Sequence, residues 1–197
     1  GSTESNDRSA NEESQPNLSS KRRKQRVSIA LASSYFAVMG AKCVLPSVLS
    51  LLLSPEIGLT FPTSADPKQL VARQLTLSTL AVALGKLLLG PVIDHFGGVV
   101  SLKVALWSLA TLLGTISQCQ SFWLFSICWI LVDFFFSSCW ASCINALHQC
   151  FDQSEWGNQI GSLATAARAG NSVAFAVFAS ILHAFENIGM RQYWRPV

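Results

Sequence analysis

The chain has 197 residues, half of them apolar and only 13% charged, with a formal net charge of +3. Soluble domains usually carry roughly 25% charged residues, so this balance excludes an ordinary soluble domain and points to lipid. The charges crowd at one end: 10 of the 25 Asp, Glu, Lys and Arg side chains precede Val27. The positive excess is one short run beside an apolar segment, which fits anionic headgroups and argues against a nucleic-acid partner.

Residues 1–27 form a polar tail rich in Ser, Asn and Glu that has no face to bury, the composition of a disordered segment. It ends in "KRRKQR", Lys21 to Arg26. Basic residues beside a span are retained on the cytoplasmic side, so the amino terminus is expected inside. From residue 28 to 197 the chain reads as one transmembrane helical domain. A helix needs about 20 apolar residues to cross a hydrocarbon core, and five stretches qualify: Ser28–Leu53, Leu75–Ile93, Val100–Ser117, Phe122–Leu147 and Gln159–Ala184. The connections at 54–74 and 119–121 then lie outside, those at 94–99 and 148–158 inside. Trp123 and Trp156 sit at span ends, at the depth an indole favours. The first residues are Gly-Ser, and "YWRPV" at the other end reads as the approach to a sixth span, so a fragment is expected.

The second span closes in "GKLLLGPVIDHFGG", with Gly90, Asp94 and Gly97 spaced G-x-x-x-D-x-x-G. Gly90 would let another helix approach the backbone, and Pro91 would loosen the last turn. Gly97 or Gly98 can adopt positive φ in a short turn. Asp94 would sit at the membrane edge, facing the positive end of a neighbouring helix. Lys86, two turns earlier, can snorkel towards the same side.

Three ionisable residues lie deep in spans: Lys42 in the first, Asp133 in the fourth and Arg168 in the fifth. A charge at mid-membrane costs at least about 2.5–3.5 kcal/mol on insertion scales, so such residues face a cavity and pair. Gly161, Thr165, Arg168 and Ser172 share one face of the fifth span, and Asp133, Ser137 and Trp140 share one of the fourth. One polar site is expected, in which Lys42 and Arg168 hold an anionic group and Asp133 pairs with them or carries a proton, with Thr165, Ser172 and Ser137 alongside. A buried ion pair that only fixes packing is the alternative.

Other chemistry is weakly signalled. The six cysteines fall within spans or at their ends and read as packing residues. Cys139, Cys143, His148 and Cys150 lack the tight turn-borne pairs of a zinc site, so neither metal nor cofactor is expected. No ATP-cradling G-x-x-x-x-G-K-[ST] loop and no G-x-S-x-G elbow is present, and an enzyme is not expected.

The turn after the second span resembles the signature of the major facilitator superfamily, G-x-x-x-D-R-x-G-R-R between the second and third helices. Here Gly90, Asp94 and Gly97 match, while His95, Gly98 and Val99 stand where the basic residues would be. The resemblance extends over about residues 26–195 through the basic tail, the long first outer connection, the inner "FDQSEWGNQIG" and the "YWR" before an expected sixth helix. It implies an all-α membrane fold: five transmembrane helices of an incomplete six-helix half, completed by a carboxyl-terminal half of the same chain. The implied function is a secondary active transporter, such as a symporter, or a facilitator, moving a small solute across a membrane, with or without a coupled proton or ion, by alternating access. Gly90, Asp94, His95 and Gly97 would form the gating motif, and the first, fourth and fifth helices would line the cavity. An acid at Asp133, where many relatives carry arginine, and the missing basic residues are departures. The competing readings are a transport-inactive binding or scaffold protein of the same fold and an intramembrane enzyme.

Overall fold

The computed structural model describes residues 4–43, 47 and 66–187. Over these the chain forms five α-helices, α1 Glu4–Lys42, α2 Pro67–Phe96, α3 Gly98–Gln118, α4 Phe122–Cys150 and α5 Trp156–Asn187, with a 3₁₀ turn at Gln153–Glu155 and no β-strand. Four segments are long and apolar enough to cross a membrane: Lys68–Phe96, Gly98–Gln118, Phe122–Cys150 and Gln153–Ala184. This is consistent with a multi-pass integral membrane protein. The end of the first expected span and most of the outer connection lie outside the described residues.

Three expectations change. The tail assigned to disorder is helical from Glu4. Lengthening an existing helix avoids a new nucleus and adds a backbone bond at each residue but Pro16, so a polar extension needs no face to bury. Helix α2 begins well before the apolar run, where Asp66 accepts from the Lys68 amide at 3.0 Å and Pro67 occupies the first turn. Gln74, counted as connection, is therefore helical and buried. Finally, α2 runs through Pro91 and Asp94 to Phe96. Only Gly97 breaks it, at φ 85°, a conformation that costs glycine nothing.

Helix α4 is buried on most of its circumference, between α2 and α3, with a smaller contact to α1. Helix α1 pairs mainly with α5. Leu80, Leu87, Val104, Trp107 and Val173 on the outer helices are exposed, as side chains against lipid would be.

Two of the three close helix pairs, α1 with α5 and α2 with α4, are built alike, the third being α3 with α4. Between α1 and α5, Ser28 donates to Gln159 Oε1 at 2.6 Å, and Gly170 lies so close to the Phe36 carbonyl that a Cβ there would collide with it. Between α4 and α2, Ser126 donates to Gln74 Oε1, Gln74 Nε2 donates to the Ser126 carbonyl at 3.1 Å, and Gly85 is pressed against the Phe134 carbonyl. The serine and phenylalanine are eight residues apart in both pairs, in "SIALASSYF" and "SICWILVDF", and the glutamine and glycine eleven apart in both. Within each pair the helices run parallel, since successive contacts advance along both. Tyr35 against Trp140 and Lys42 against Asp133 advance in opposite senses, so α1 and α4, and with them the two pairs, are antiparallel.

Candidate functional site

The antiparallel contact between α1 and α4 carries the buried charges. Lys42, the last residue of α1, donates to Asp133 Oδ1 and lies over the Phe136 ring, its Nζ 4.5 Å from the centroid. The Asp133 side chain is 4% exposed and that of Lys42 30%, so the pair is open on the lysine side. Tyr35 and Trp140 close the next layer with ring centroids 5.3 Å apart. Helical spacing puts Asp133, Phe136 and Trp140 on one face of α4 over two turns, and Tyr35 and Lys42 two turns apart on α1, which is why one seam holds all five. Chemically the seam offers an ammonium reachable by an anion and a carboxylate that would lose its partner if that anion took the lysine.

The other expected members do not join it. Arg168, Thr165 and Ser172 are exposed on α5, and Thr165 Oγ1 donates to the Gly161 carbonyl at 2.9 Å. Helix α5 meets α1 through Leu163, Ala167 and Gly170, and a stripe offset from these by one or two residues, about 100–200° around the helix, points away. Arg168 has no ion pair among the described residues. Ser137 shares the α4 face of Asp133, but its hydroxyl donates to the Phe134 carbonyl at 2.6 Å and packs against Gly85 of α2. Equal depth therefore brought together two of the three charges, since depth says nothing about azimuth.

In the turn between α2 and α3 the two glycines divide the work. Gly97 supplies the positive φ, whereas Gly98 is buried, with its amide donating to Asn145 Oδ1 at 2.8 Å and no room for a Cβ beside the Ser142 carbonyl. Gly90 has open space where a Cβ would be, so no described helix uses it for close approach. The close approaches are at Gly85, Gly98 and Gly170 instead. Asp94 and His95 are exposed, and Asp94 has no hydrogen bond or ion pair among the described residues. Cys139 and Cys143 are fully buried, and His148 stacks on Trp156 at 4.1 Å. No three His, Cys, Asp or Glu side chains converge among the described residues.

A second charged constellation was hidden in the basic run. Lys24 bridges Asp152 at 2.6 Å and Glu155 at 2.9 Å, tying α1 to the connection between α4 and α5. The bond to Asp152, then that to Glu155, raises the Lys24 ammonium above the ordinary lysine value, and the bond from Lys24 holds Asp152 below the ordinary carboxylate value. A lowered acid contributes stability above its unfolded value and loses it as pH falls through the folded one. A raised lysine contributes below its unfolded value and loses it as pH rises through the folded one. Spin labels at Arg23→Cys and Gln153→Cys should thus keep one separation between about pH 6 and about pH 9 and spread below the carboxylate range. A separation unchanged in strong acid would show that the clasp does not hold this end of α1.

The missed residues Ser28, Gln74, Ser126 and Gln159 left a signal in the sequence, the paired "SI" openings and the two eleven-residue Gln-to-Gly spacings, visible when spans are compared with one another. No protein-family model, curated protein or solved structure matches the chain.

Proposed function

We propose that the chain is part of a secondary transporter in which two oppositely directed helix pairs move about a polar seam at mid-membrane, moving a small solute by alternating access. The observation that carries the reading is the repeated construction of those pairs, with the Lys42–Asp133 pair lying where they meet. Carriers are commonly built from inverted repeats with the substrate and coupling-ion site at the repeat interface. A structural bundle has no need of a charge pair there, and the bilayer makes one costly. Lys42 would hold the anionic group of the solute, and Asp133, released from the lysine, would take the coupled proton or ion. Arg168, Thr165 and Ser172, on the uncovered face of α5, would face the second half of the carrier.

The signature turn would act as the gate through Gly97 and Asp94, with His95 in place of the usual arginine. The test is flux into proteoliposomes holding the protein encoded by the full reading frame, with organic anions, sugars and amino acids offered with and without a pH gradient. Saturable uptake of one class is expected. A folded protein that moves none of them would replace the carrier by a transport-inactive scaffold of the same architecture.

A further inference from the structure

Between the end of α2, the start of α3 and α4 lies a groove of about 340 Å³, within the size range of small-molecule sites. Its walls are apolar, from Leu89, Ile93 and Phe96 on α2, Val100 and Val104 on α3 and Phe135 on α4, with Ser101 and Ser138 as the polar exceptions. Ser138 donates to the Phe135 carbonyl at 2.7 Å. Ser101 Oγ, in contrast, is buried without a partner among the described residues, as are Ser78 and Ser142, and of these three Ser101 is the one that lines the groove. An unpaired buried hydroxyl costs about 1–3 kcal/mol, and because Ser101 as a residue is only half-buried, a turn of its side chain would carry that donor to an acceptor in the groove.

The place in the fold says what brings that acceptor. Val92, Phe96, Val100 and Val104, around the mouth, are all exposed on segments apolar enough to cross a membrane, so the groove opens sideways to acyl chains and not to water. Ser101 lies four residues beyond the Gly97 turn that ends α2, about 6 Å along the helix at 1.5 Å per residue. Headgroup regions add about 5–8 Å to each side of the hydrocarbon core, so this is the level at which headgroups give way to acyl chains. On α4 the groove uses Phe135 and Ser138, whereas Asp133 and Phe136 meet Lys42, so the groove is separate from the charged seam.

We propose that this groove seats one phospholipid, its acyl chain lying along Val92, Val104 and Phe135 and its ester carbonyl accepting a hydrogen bond from Ser101 Oγ. The lipid would fill the wedge at the signature turn and be held there by a contact that the surrounding bilayer lacks.

The probe is phosphatidylcholine with a diazirine on one acyl chain, in nanodiscs holding the full-length protein, with labelled residues mapped by mass spectrometry after irradiation. Labelling is expected to concentrate on Val92, Val104 and Phe135 over Leu87 and Trp107, which are exposed elsewhere. Ser101→Ala should lower groove labelling about three- to tenfold, the size of one hydrogen bond, and leave Leu87 and Trp107 unchanged. The same variant in lipid-free detergent should melt at or above the wild type, because it removes a hydroxyl that is unpaired among the described residues. Ser138→Phe, which fills the groove, should remove the excess labelling altogether. Uniform labelling of all exposed apolar residues, groove labelling indifferent to Ser101→Ala, or a clear loss of detergent stability in that variant would each overturn the proposal.

Discussion

Lys42→Met is expected to destabilise the folded protein by about 3–5 kcal/mol, because it leaves Asp133 buried without its counter-charge. The Asp133 side chain has 4% of its surface exposed and, among the described residues, a single hydrogen-bonding partner, the lysine. Asp133→Leu alone should cost less, since Lys42 is open on one side and its stem can carry the ammonium outwards. The double variant Lys42→Met, Asp133→Leu should recover most of the loss, as apolar replacement of a whole buried pair is commonly neutral or stabilising. Unfolding of the three variants in mixed detergent, followed by tryptophan fluorescence, measures this order. A Lys42→Met protein as stable as the wild type would mean that the pair contributes nothing to the seam. Recovery of stability in the double variant without recovery of flux would separate the packing contribution of these residues from a role in the transport cycle.

The second large effect belongs to the glycines of the two helix pairs. At Gly170 a Cβ would collide with the Phe36 carbonyl, and at Gly85 with Ser137 Oγ and the Phe134 carbonyl. Backbone cannot yield as the end of a side chain can, so Gly170→Val and Gly85→Val should each separate a pair and cost at least the roughly 1–3 kcal/mol of an overpacked core. Because the two contacts are built alike, the two losses should be similar. Gly90→Ala is the control: the space there is open, and alanine in a helix interior gains up to about 1 kcal/mol over glycine. The comparison is read from melting temperatures in one detergent. Tolerance of valine at Gly85 and Gly170, or marked damage from alanine at Gly90, would contradict the described packing.

Much of the architecture was legible because lipid imposes a coarse rule. A span must be apolar over its length, so composition alone places the helical segments, and the break between α3 and α4 falls at residues 119–121 as read. Helix ends were less legible. Backbone bonding continues past the apolar limit wherever capping and propensity allow it, as at Asp66 and through Asp94. The motif glycines were read in part: positive φ at Gly97 follows from the brevity of the turn, while the role expected of Gly90 belongs to Gly85, whose surroundings in sequence look no different.

The candidate site shows where reading along the chain stops. Counting residues gives depth, and it placed Lys42, Asp133 and Arg168 near one level. It does not give the direction in which each helix turns its faces, which is decided by which neighbour the small residues admit. Gly170 admits α1 and so turns Arg168 away from it; Gly85 admits α2 and fixes Ser137 there, leaving Asp133 to α1. The sequence by itself determined a helical, lipid-compatible chain with a basic end, a glycine turn and a few costly charges, because those properties depend only on residue type and local spacing. The tertiary structure alone decided that Lys42 pairs with Asp133, that Lys24 clasps Asp152 and Glu155, and that two antiparallel pairs share one construction. Each of these joins residues far apart in the chain, and the energy of such a contact exists only once the helices are packed.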